Sequence, residues 1–281
     1  MKTLLMSLLA VATASPPTDA PPSGLEICTP LPGAEHLLGE EGPDFIIVGE
    51  AHGTAELPGA FADLVCAFAK KGAPLTVGLE FLPAEQAAID AYLGSQGDQA
   101  ARSKLLTSPA WALHDGRSSK AIFALVETLR RIRVVHPDIR VIAFDHPSEQ
   151  GGTSAAREKG MADLLLAAKQ ARPDATMLAL TGVGHAGKSE WTSLGPPFPA
   201  MAQLLPADRT VTLAFDVTGG EIWACRQTAK PPQEECGARA VPARTPQRPR
   251  GIHPGSARKG FDATISVGGS FSASPPARDH F

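Results

Sequence analysis

The chain has 281 residues, of which 43% are hydrophobic and 20% charged, and its formal net charge is -3. This length and apolar content are sufficient to bury one sizeable core. The small negative charge and the aromatic content of 5% exclude a strongly basic or base-stacking surface, so we expect no nucleic-acid partner.

The start of the chain has the features of a secretory signal peptide. Lys2 supplies a positive charge, an apolar stretch covers residues 4–11, and Ala12-Thr13-Ala14 matches a small-residue cleavage site. The apolar stretch is too short for a transmembrane helix, so we expect no stable membrane span. The sequence therefore predicts an exported protein, periplasmic or extracellular, with a signal peptide at 1–14, a linker at 15–27 and one α/β domain over 28–281.

Four cysteines are consistent with export, because an even number outside the cytosol favours disulfides. Cys225 and Cys236 flank a short polar segment and are the preferred pair. Cys28 and Cys66 would tie the N-terminal segment to the first helix, although Cys66 also suits a small buried apolar position. The sequence thus predicts the first disulfide and leaves the second pair open.

Strand and helix signals alternate along the rest of the chain. Short apolar runs that end at turn residues predict strands, and apolar residues at helical spacing predict helices. The predicted strands are 44–50, 74–81, 140–145, one within 176–187, 209–219 and 260–271. The predicted helices are 58–72, 84–95, 118–137 with Ser118 or Ser119 as its cap, 155–174 and a short one at 198–205.

This alternation predicts an α/β fold with a mainly parallel central sheet and helices on both of its faces. Ligand sites in such sheets lie at the carboxyl ends of the strands. Acidic and imidazole side chains occupy these ends in the sequence: Glu50 and His52, then Glu80, then Asp145 and His146, then His185. We therefore expect them to gather at one edge of the sheet.

The segment "GEAHGT" places a carboxylate and an imidazole two residues apart. Side chains two apart on a strand point to the same side, so Glu50 could orient His52 as a base, or both could bind one metal ion. The alternative is a polar turn in which Thr54 caps the next helix. Of these, the sequence favours a functional pair.

Glu80, Arg157 and His185 are the other candidate site residues. Glu80 ends an apolar strand, where a buried carboxylate needs water, a cation or a ligand. Arg157 opens a helix against the helix dipole, so we expect it to pair with Glu50, Glu80 or a substrate anion. His185 follows an apolar strand through glycines that allow close approach. The ordinary alternatives are a solvated strand end, a surface pair of Arg157 with Glu158, and a structural histidine.

Two further segments carry polar residues. The loop 111–119, "WALHDGRSS", is expected at the rim of the pocket. The segment 229–258 is rich in Pro and Arg and lacks apolar periodicity, which predicts an exposed, partly disordered insertion with a solvated surface, more than a polyanion site. No G-x-S-x-G or H-E-x-x-H motif occurs, so neither a serine nucleophile elbow nor a zinc-protease helix is indicated. Acid–base or metal-assisted activation of water is the remaining chemistry.

Four motifs, in this order, resemble those of the erythromycin-esterase-like, ChaN-like and Tiki superfamily. They are "GEAHGTAELP", "LTVGLEF", "AREKGMADLLL" and "LTGVGHAGK". The esterase-like branch implies that His52 is the base that activates water, with Glu50 and Glu80 orienting it or binding substrate and with Arg157 and His185 completing the site. The Tiki branch implies a metal-dependent protease with a divalent ion at Glu50, His52 and His185.

The ChaN-like branch implies a haem-binding protein of the bacterial cell surface with a tyrosine as axial ligand. Tyr92 is the only tyrosine, and its spacing with Ile89 and Leu93 predicts packing in the core. We therefore expect an exported hydrolase that cleaves an ester, lactone or amide in a small molecule or peptide, with or without a divalent metal. The alternative is a non-catalytic haem- or ligand-binding protein of the cell surface or periplasm.

Overall fold

The computed structural model describes residues 28–39, 42–148, 153–228 and 234–278. The predicted signal peptide and linker lie outside the described residues. None of the helices in these four ranges combines the length and the apolar character that a membrane crossing requires.

Strands and helices alternate as the sequence predicts. The strands are β1 Phe45–Glu50, β2 Leu75–Leu79, β3 Ile139–Ala143, β4 Thr176–Gly182, β5 Glu190–Trp191, β6 Phe198–Pro199, β7 Thr210–Phe215, β8 Gly220–Gln227, β9 Glu234–Val241, β10 Gly251–Pro254 and β11 Ala263–Ser266. The helices are α1 Glu56–Ala69, α2 Gln86–Leu93, α3 Gln99–Leu106, α4 Lys120–Val135, α5 Ala155–Ala171 and the single turn α6 Val183–Ala186.

A seven-stranded sheet forms the centre of the fold, in the order β10-β11-β7-β1-β4-β2-β3. Its neighbouring strands are parallel except for β10 and β11. Crossover helices between parallel strands cover both faces of such a sheet. The prediction of an α/β fold with a mainly parallel sheet is confirmed.

The strand β1 is buried on both faces, which explains its continuous apolar run. Ile46 and Val48 belong to the core layer that contains residues of α1 and α4, whereas Phe45 and Ile47 belong to the layer that contains residues of α5. This alternation follows from the two-residue period of a strand. It anchors β1, and with it Glu50, in the middle of the molecule.

Two serine caps fix the helices that lead towards the site. The Ser119 side chain accepts a hydrogen bond from the Ile122 backbone N–H at the start of α4, as the sequence predicts. Ser154 accepts one from the Arg157 backbone N–H at the start of α5. Because an N-cap satisfies backbone donors that have no partner inside the helix, these contacts define where each helix begins.

The segment 229–258 differs from the predicted insertion, although 229–233 lie outside the described residues. It contains β9, which pairs with β8 in an antiparallel hairpin, and β10, which joins the edge of the main sheet. The hairpin residues are mostly half-buried or exposed, so the apolar alternation that usually signals a strand is absent.

At 198–205 the predicted helix is replaced by β6 and a short 3₁₀ turn, Met201–Leu204.

Both cysteine pairs form disulfides, Cys225 with Cys236 and Cys28 with Cys66. The first pair is confirmed, and the second, which the sequence left open, is resolved in favour of a disulfide. Cys225 and Cys236 are direct cross-strand neighbours in the hairpin. Since disulfides persist in oxidising compartments, the two bonds indicate a non-reducing environment.

Candidate active site

The structure brings the five candidate site residues together at the carboxyl ends of β1, β2 and β4. Glu50 ends β1 beside Gly182 at the end of β4, and Glu80 directly follows β2. His185 lies in α6, which continues directly from β4. Parallel strands end at a common edge, so residues far apart in the sequence meet there.

A continuous chain of polar contacts joins these residues. Glu50 Oε1 lies 2.9 Å from His52 Nδ1, and His52 Nε2 lies 3.6 Å from Glu80 Oε2. Arg157 Nη2 donates to Glu80 Oε1 at 2.9 Å, and Arg157 Nη1 lies 3.2 Å from His185 Nε2. The arginine therefore connects the second carboxylate to the second histidine, one of the pairings that its position predicts.

Glu80 is held as a carboxylate in a buried setting. Its Oε2 accepts hydrogen bonds of 2.7 Å from Thr181 Oγ1 and from the Gly182 backbone N–H. Burial alone would raise the pKa of Glu80, but the positive charge of His52 and these hydrogen bonds outweigh it and lower the pKa from 4.5 to about 2. Glu80 is thus a fixed negative charge beside His52.

His52 lies between two carboxylates, and about a quarter of its side chain is exposed. Burial would lower its pKa, but the charge of Glu80 and the hydrogen bond and charge of Glu50 outweigh it and raise the pKa from 6.5 to about 9. His52 is therefore an imidazolium at neutral pH, with one N–H directed at Glu50 and the other nitrogen facing Glu80.

A second layer of contacts positions Arg157 and His185. Asp145 Oδ1 accepts from Arg157 Nε at 2.8 Å, and Glu158 Oε1 lies 2.6 Å from His185 Nδ1. Glu158 is fully buried, and its other oxygen accepts from the Met201 backbone N–H at 2.7 Å. Because a guanidinium only donates, His185 Nε2 accepts from Arg157, and Nδ1 carries the proton that it donates to Glu158.

The turn that carries His52 is held by segments distant in the sequence. The Gly53 carbonyl accepts hydrogen bonds from the backbone N–H groups of Trp223 and Ser274, at 2.9 and 2.8 Å. Gly53 has a φ of 81°, and a Cβ there would lie 2.0 Å from the Trp223 carbonyl oxygen. Gly116, with a φ of 91°, packs so closely that its Cβ would lie 2.6 Å from the Gly53 nitrogen. Only glycine suits both positions.

A small cavity of about 10 Å³ opens between Glu50, His52, Glu80 and Arg117. This volume is about that of one water molecule, and the surrounding groups offer it several hydrogen-bond partners. Glu50 Oε2 is buried and has no hydrogen-bond partner among the described residues. A buried carboxylate oxygen without a partner is costly, so a bound water or substrate group would satisfy it.

Gly182 keeps this site open. A Cβ at Gly182 would lie 2.9 Å from His52 Nε2 and 3.6 Å from Glu80 Oε2. A methyl group would therefore occupy the space in front of the imidazole and the carboxylate. The sequence shows this residue only as one of several glycines in "LTGVGHAGK".

The arrangement does not suit a divalent ion held by Glu50, His52 and His185. The nitrogens of His185 are engaged by Glu158 and by the permanently charged Arg157, so a cation would have to displace the arginine. Among the described residues, the metal-like cluster found elsewhere is Cys225, Glu234 and Cys236, whose two cysteines are bonded to each other.

Tyr92 does not suit the role of a haem ligand. It is 2% exposed and donates to Glu127 Oε2 at 2.7 Å. Burial and the neighbouring Glu127 raise the pKa of Tyr92 to about 12. A tyrosinate that could bind iron is therefore disfavoured, and the side chain packs against Phe123 in the core.

Sequence reasoning missed three residues of this site. For Asp145 the sequence indicates a strand end but no partner, and for Glu158 it indicates only a surface pair with Arg157. For Arg117 the sequence indicates a loop at the rim of the pocket and no specific role. Glu158 is next to Arg157 in the first turn of α5, so a helix that brings Arg157 to the site also brings Glu158 close to it. This adjacency is the signal in the sequence that could have identified Glu158.

No protein-family model matches the sequence, and no curated protein is similar enough to count as a relative. Several solved structures are similar in shape. A mutant of the erythromycin esterase EreC in its open conformation has a TM-score of 0.63 at 13% identity and covers 84% of this chain and 92% of its own. A Bacillus cereus protein has a TM-score of 0.56 at 12% identity, covering 86% and 91%.

ChaN of Campylobacter jejuni with cofacial haem is a more distant match, with a TM-score of 0.39 at 13% identity, covering 65% of this chain and 85% of its own. This likeness is too weak to support an argument about function. At these identities the matches bear on architecture. The chain therefore shares the α/β fold of an erythromycin esterase, as its motifs imply.

Proposed function

We propose that this protein is an exported hydrolase that activates water at Glu50, His52 and Glu80 and cleaves an ester, lactone or amide in a small molecule or peptide. The observation that supports it best is the water-sized cavity that these residues share with Arg117. A polar, buried space for one water beside an acid and an imidazole is the basic requirement for general acid–base hydrolysis.

The hydrogen bonds favour Glu50 as the group that takes the proton from water. Its Oε2 is unpartnered among the described residues, whereas Oε1 is held by His52. His52 is already protonated at neutral pH and is therefore suited to donate a proton. This assignment reverses the role that the family resemblance implies for His52 and keeps the same two residues.

The proposed reaction balances with these groups alone. The water oxygen attacks the carbonyl carbon and gives one proton to Glu50. The bond to the leaving oxygen or nitrogen breaks as His52 gives its proton to that atom. The products are an acid and an alcohol or amine, and exchange with solvent returns the proton from Glu50 to His52. Glu80 and Arg157 act as a rigid ionic support.

Export is supported by the two disulfides and by the predicted signal peptide. Expression of the full chain in a bacterium, followed by N-terminal sequencing of the mature protein, tests it. We expect the mature protein to begin at Ser15 and to be recovered outside the cytoplasm. An intact N-terminus in the cytoplasmic fraction would contradict export.

The test of activity is a panel of chromogenic esters, lactones and amides. We expect hydrolysis by the wild type and a loss of about a hundredfold or more in Glu50→Gln and His52→Gln, because each removes one proton-transfer partner. Glu235→Gln, a change in an exposed salt bridge of the hairpin, is the control and should keep full activity. A wild-type protein that hydrolyses no member of the panel would overturn the proposal.

The pH dependence separates the two assignments of roles. If His52 donates a proton, kcat/KM falls as the pH rises through about 9, the pKa of His52. If His52 is the base, kcat/KM rises over the same interval. The first result supports Glu50 as the acceptor, and the second would return that role to His52.

Haem titration tests the non-catalytic alternative. A Soret band that persists in His52→Ala, together with the absence of hydrolysis in the wild type, would favour a binding protein. We expect no such band, because the only tyrosine is buried and bonded to Glu127.

A further inference from the structure

A larger cleft adjoins the water-sized cavity. It has a volume of about 320 Å³, and Glu80, Phe81 and Arg117 line both spaces. Leu82 and Leu113, among the large apolar side chains that remain exposed in this protein, line the cleft as well. A mostly apolar cleft with a few fixed polar groups at one end is typical of a small-molecule site.

The acidic side chains of this cleft are already neutralised or bonded. Glu85 accepts hydrogen bonds from Ser108 Oγ at 2.5 Å and from the Ala110 backbone N–H at 3.1 Å. Asp145 accepts from Arg157. Glu80 likewise pairs with Arg157 and faces His52. The acids therefore support the walls of the cleft and leave Arg117 as the polar group that can turn to a ligand.

Arg117 keeps one donor group free. Asp115 accepts from its Nε and Nη2, which leaves Nη1 without a hydrogen bond among the described residues. The Arg117 side chain is 30% exposed. A guanidinium can bind a carboxylate through one edge and an oxygen of a second group through the remaining N–H donors.

The loop that carries Arg117 is rigidly held. Trp223 Nε1 donates to the His114 carbonyl oxygen at 2.9 Å, and Ser118 Oγ donates to the Leu113 carbonyl oxygen at 2.5 Å. Donors that are fixed before the reaction stabilise a developing negative charge without the cost of reorganisation. Arg117 therefore has the charge, the free donor and the position of an oxyanion-binding group.

We propose that Arg117 binds the carbonyl oxygen of the substrate and that the adjoining cleft holds its acyl chain. This inference rests on the proposed function. The substrate class is then an ester or lactone of a small apolar acyl group, because 320 Å³ lies at the lower end of small-molecule sites. The negative charge that water attack places on the carbonyl oxygen is balanced by the guanidinium. The carboxylate product binds to the same cation.

Kinetics with acetyl and hexanoyl esters of the same chromogenic alcohol test this assignment. We expect the wild type to prefer the hexanoyl ester. Arg117→Ala should lower kcat by about a hundredfold for both esters, the cost of one lost oxyanion donor, while KM changes little. Arg117→Lys should recover part of kcat, because it restores the charge without the fixed planar donors. Arg226→Ala, which removes an arginine of an exposed salt bridge, is the control.

The apolar side of the cleft has its own variant. Leu113→Asp should lower the ratio of hexanoyl to acetyl kcat/KM by about tenfold, because it places a charge against the acyl chain. A circular-dichroism spectrum like that of the wild type shows that each variant is folded. An unchanged ratio in a folded variant would overturn the placement of the acyl chain.

Calorimetric titration with hexanoate provides a readout that needs no turnover. We expect wild type and Glu50→Gln to bind hexanoate and Arg117→Ala to bind at least about tenfold more weakly. Binding that depends on Arg117 in a protein without hydrolytic activity would support this site and overturn the proposed reaction. Hydrolysis that is unaffected by Arg117→Ala would overturn this inference and leave the reaction standing.

Discussion

The charge state of His52 depends on Glu50 and on Glu80, and Glu80 lies 3.6 Å from its Nε2. We predict that Glu80→Gln lowers the pKa of His52 from about 9 towards 6.5, because it removes a negative charge and leaves Arg157 nearby. Two-dimensional NMR of the imidazole as a function of pH measures this. Glu235→Gln should leave the titration unchanged, and a pKa of about 9 in Glu80→Gln would contradict the role of Glu80.

The absence of a side chain at Gly182 leaves space in front of His52 Nε2, and this space can be tested by a substitution. We predict that Gly182→Ala lowers kcat by about a hundredfold, because the new methyl group would lie 2.9 Å from His52 Nε2, closer than van der Waals contact permits. Gly59→Ala is the matched control, since nothing lies within 4 Å of a Cβ there. It should keep full activity and gain slight stability in α1.

Wild-type kinetics for Gly182→Ala, in a variant that melts at the same temperature as the parent, would show that the space in front of His52 is not used. A loss of activity in Gly59→Ala would contradict the open surroundings of Gly59. The effect of Gly182→Ala could then not be assigned to the space in front of His52.

The positions of individual site residues could be predicted from the sequence where these residues directly follow a predicted strand. Glu50, Glu80 and His185 each follow an apolar run, so their placement at one edge followed from the parallel topology. Arg117 was not predictable in this way, because its loop is held at the site by tertiary contacts such as those of Gly116 with Gly53 and of Trp223 with His114. Contacts of that kind depend on tertiary packing and leave no periodic signal in the sequence.

The two disulfides stabilise different elements and should differ in their effects. We predict that Cys28→Ser with Cys66→Ser lowers the free energy of unfolding by about 4 kcal/mol and that Cys225→Ser with Cys236→Ser lowers it by about 3 kcal/mol, because the loop that each bond closes sets its chain-entropy effect. The loops span 38 and 11 residues. Urea denaturation measures both values.

The effect on catalysis should have the opposite order. Loss of the Cys225–Cys236 bond loosens the hairpin, whose Trp223 bonds Gly53 and His114 beside the site, so we expect kcat to fall by about tenfold. The Cys28–Cys66 variant should keep its kcat while folded, since that bond lies at α1, away from these turns. Equal kcat in both variants would contradict a positioning role for the hairpin.

Elements with a buried face were the predictable ones. β1 is apolar throughout because both of its faces are covered, and α4 begins at the serine that the sequence offers as a cap. The sequence predicts a loop where β9 lies, because the charged and half-buried residues of the hairpin do not alternate and its two strands are joined by a disulfide between directly paired residues. Apolar patterns in a sequence arise from burial, and this hairpin is mostly exposed, so its strands leave little pattern.

The stability of the whole molecule should depend on pH through the same residues. The pKa of His52 is raised from 6.5 to about 9 on folding, so its contribution is fully present below about pH 6.5 and is lost as the pH rises through 9. The pKa of Glu80 is lowered from 4.5 to about 2, so its contribution is present above pH 4.5 and is lost as the pH falls through 2.

We therefore predict greatest stability between about pH 4.5 and 6.5 from this pair, with a loss of roughly 1–3 kcal/mol between pH 6.5 and 9.5. Thermal unfolding followed across this range measures the slope. His52→Gln should flatten the alkaline part of the profile, because the variant has no proton to release there. A slope that persists unchanged in His52→Gln would assign it to other groups.

The bonds from Ser274 to Gly53, and from the stretch around Ala273 and Pro276 to Thr54 and Ser119, tie residues 273–277 to the turn beneath His52. A proteolytic cut just before this stretch would leave every acid, imidazole and guanidinium of the site covalently intact, yet it would release one of the two clamps on the Gly53 carbonyl oxygen. The shape of that turn therefore depends on a segment that contributes no reactive group of its own.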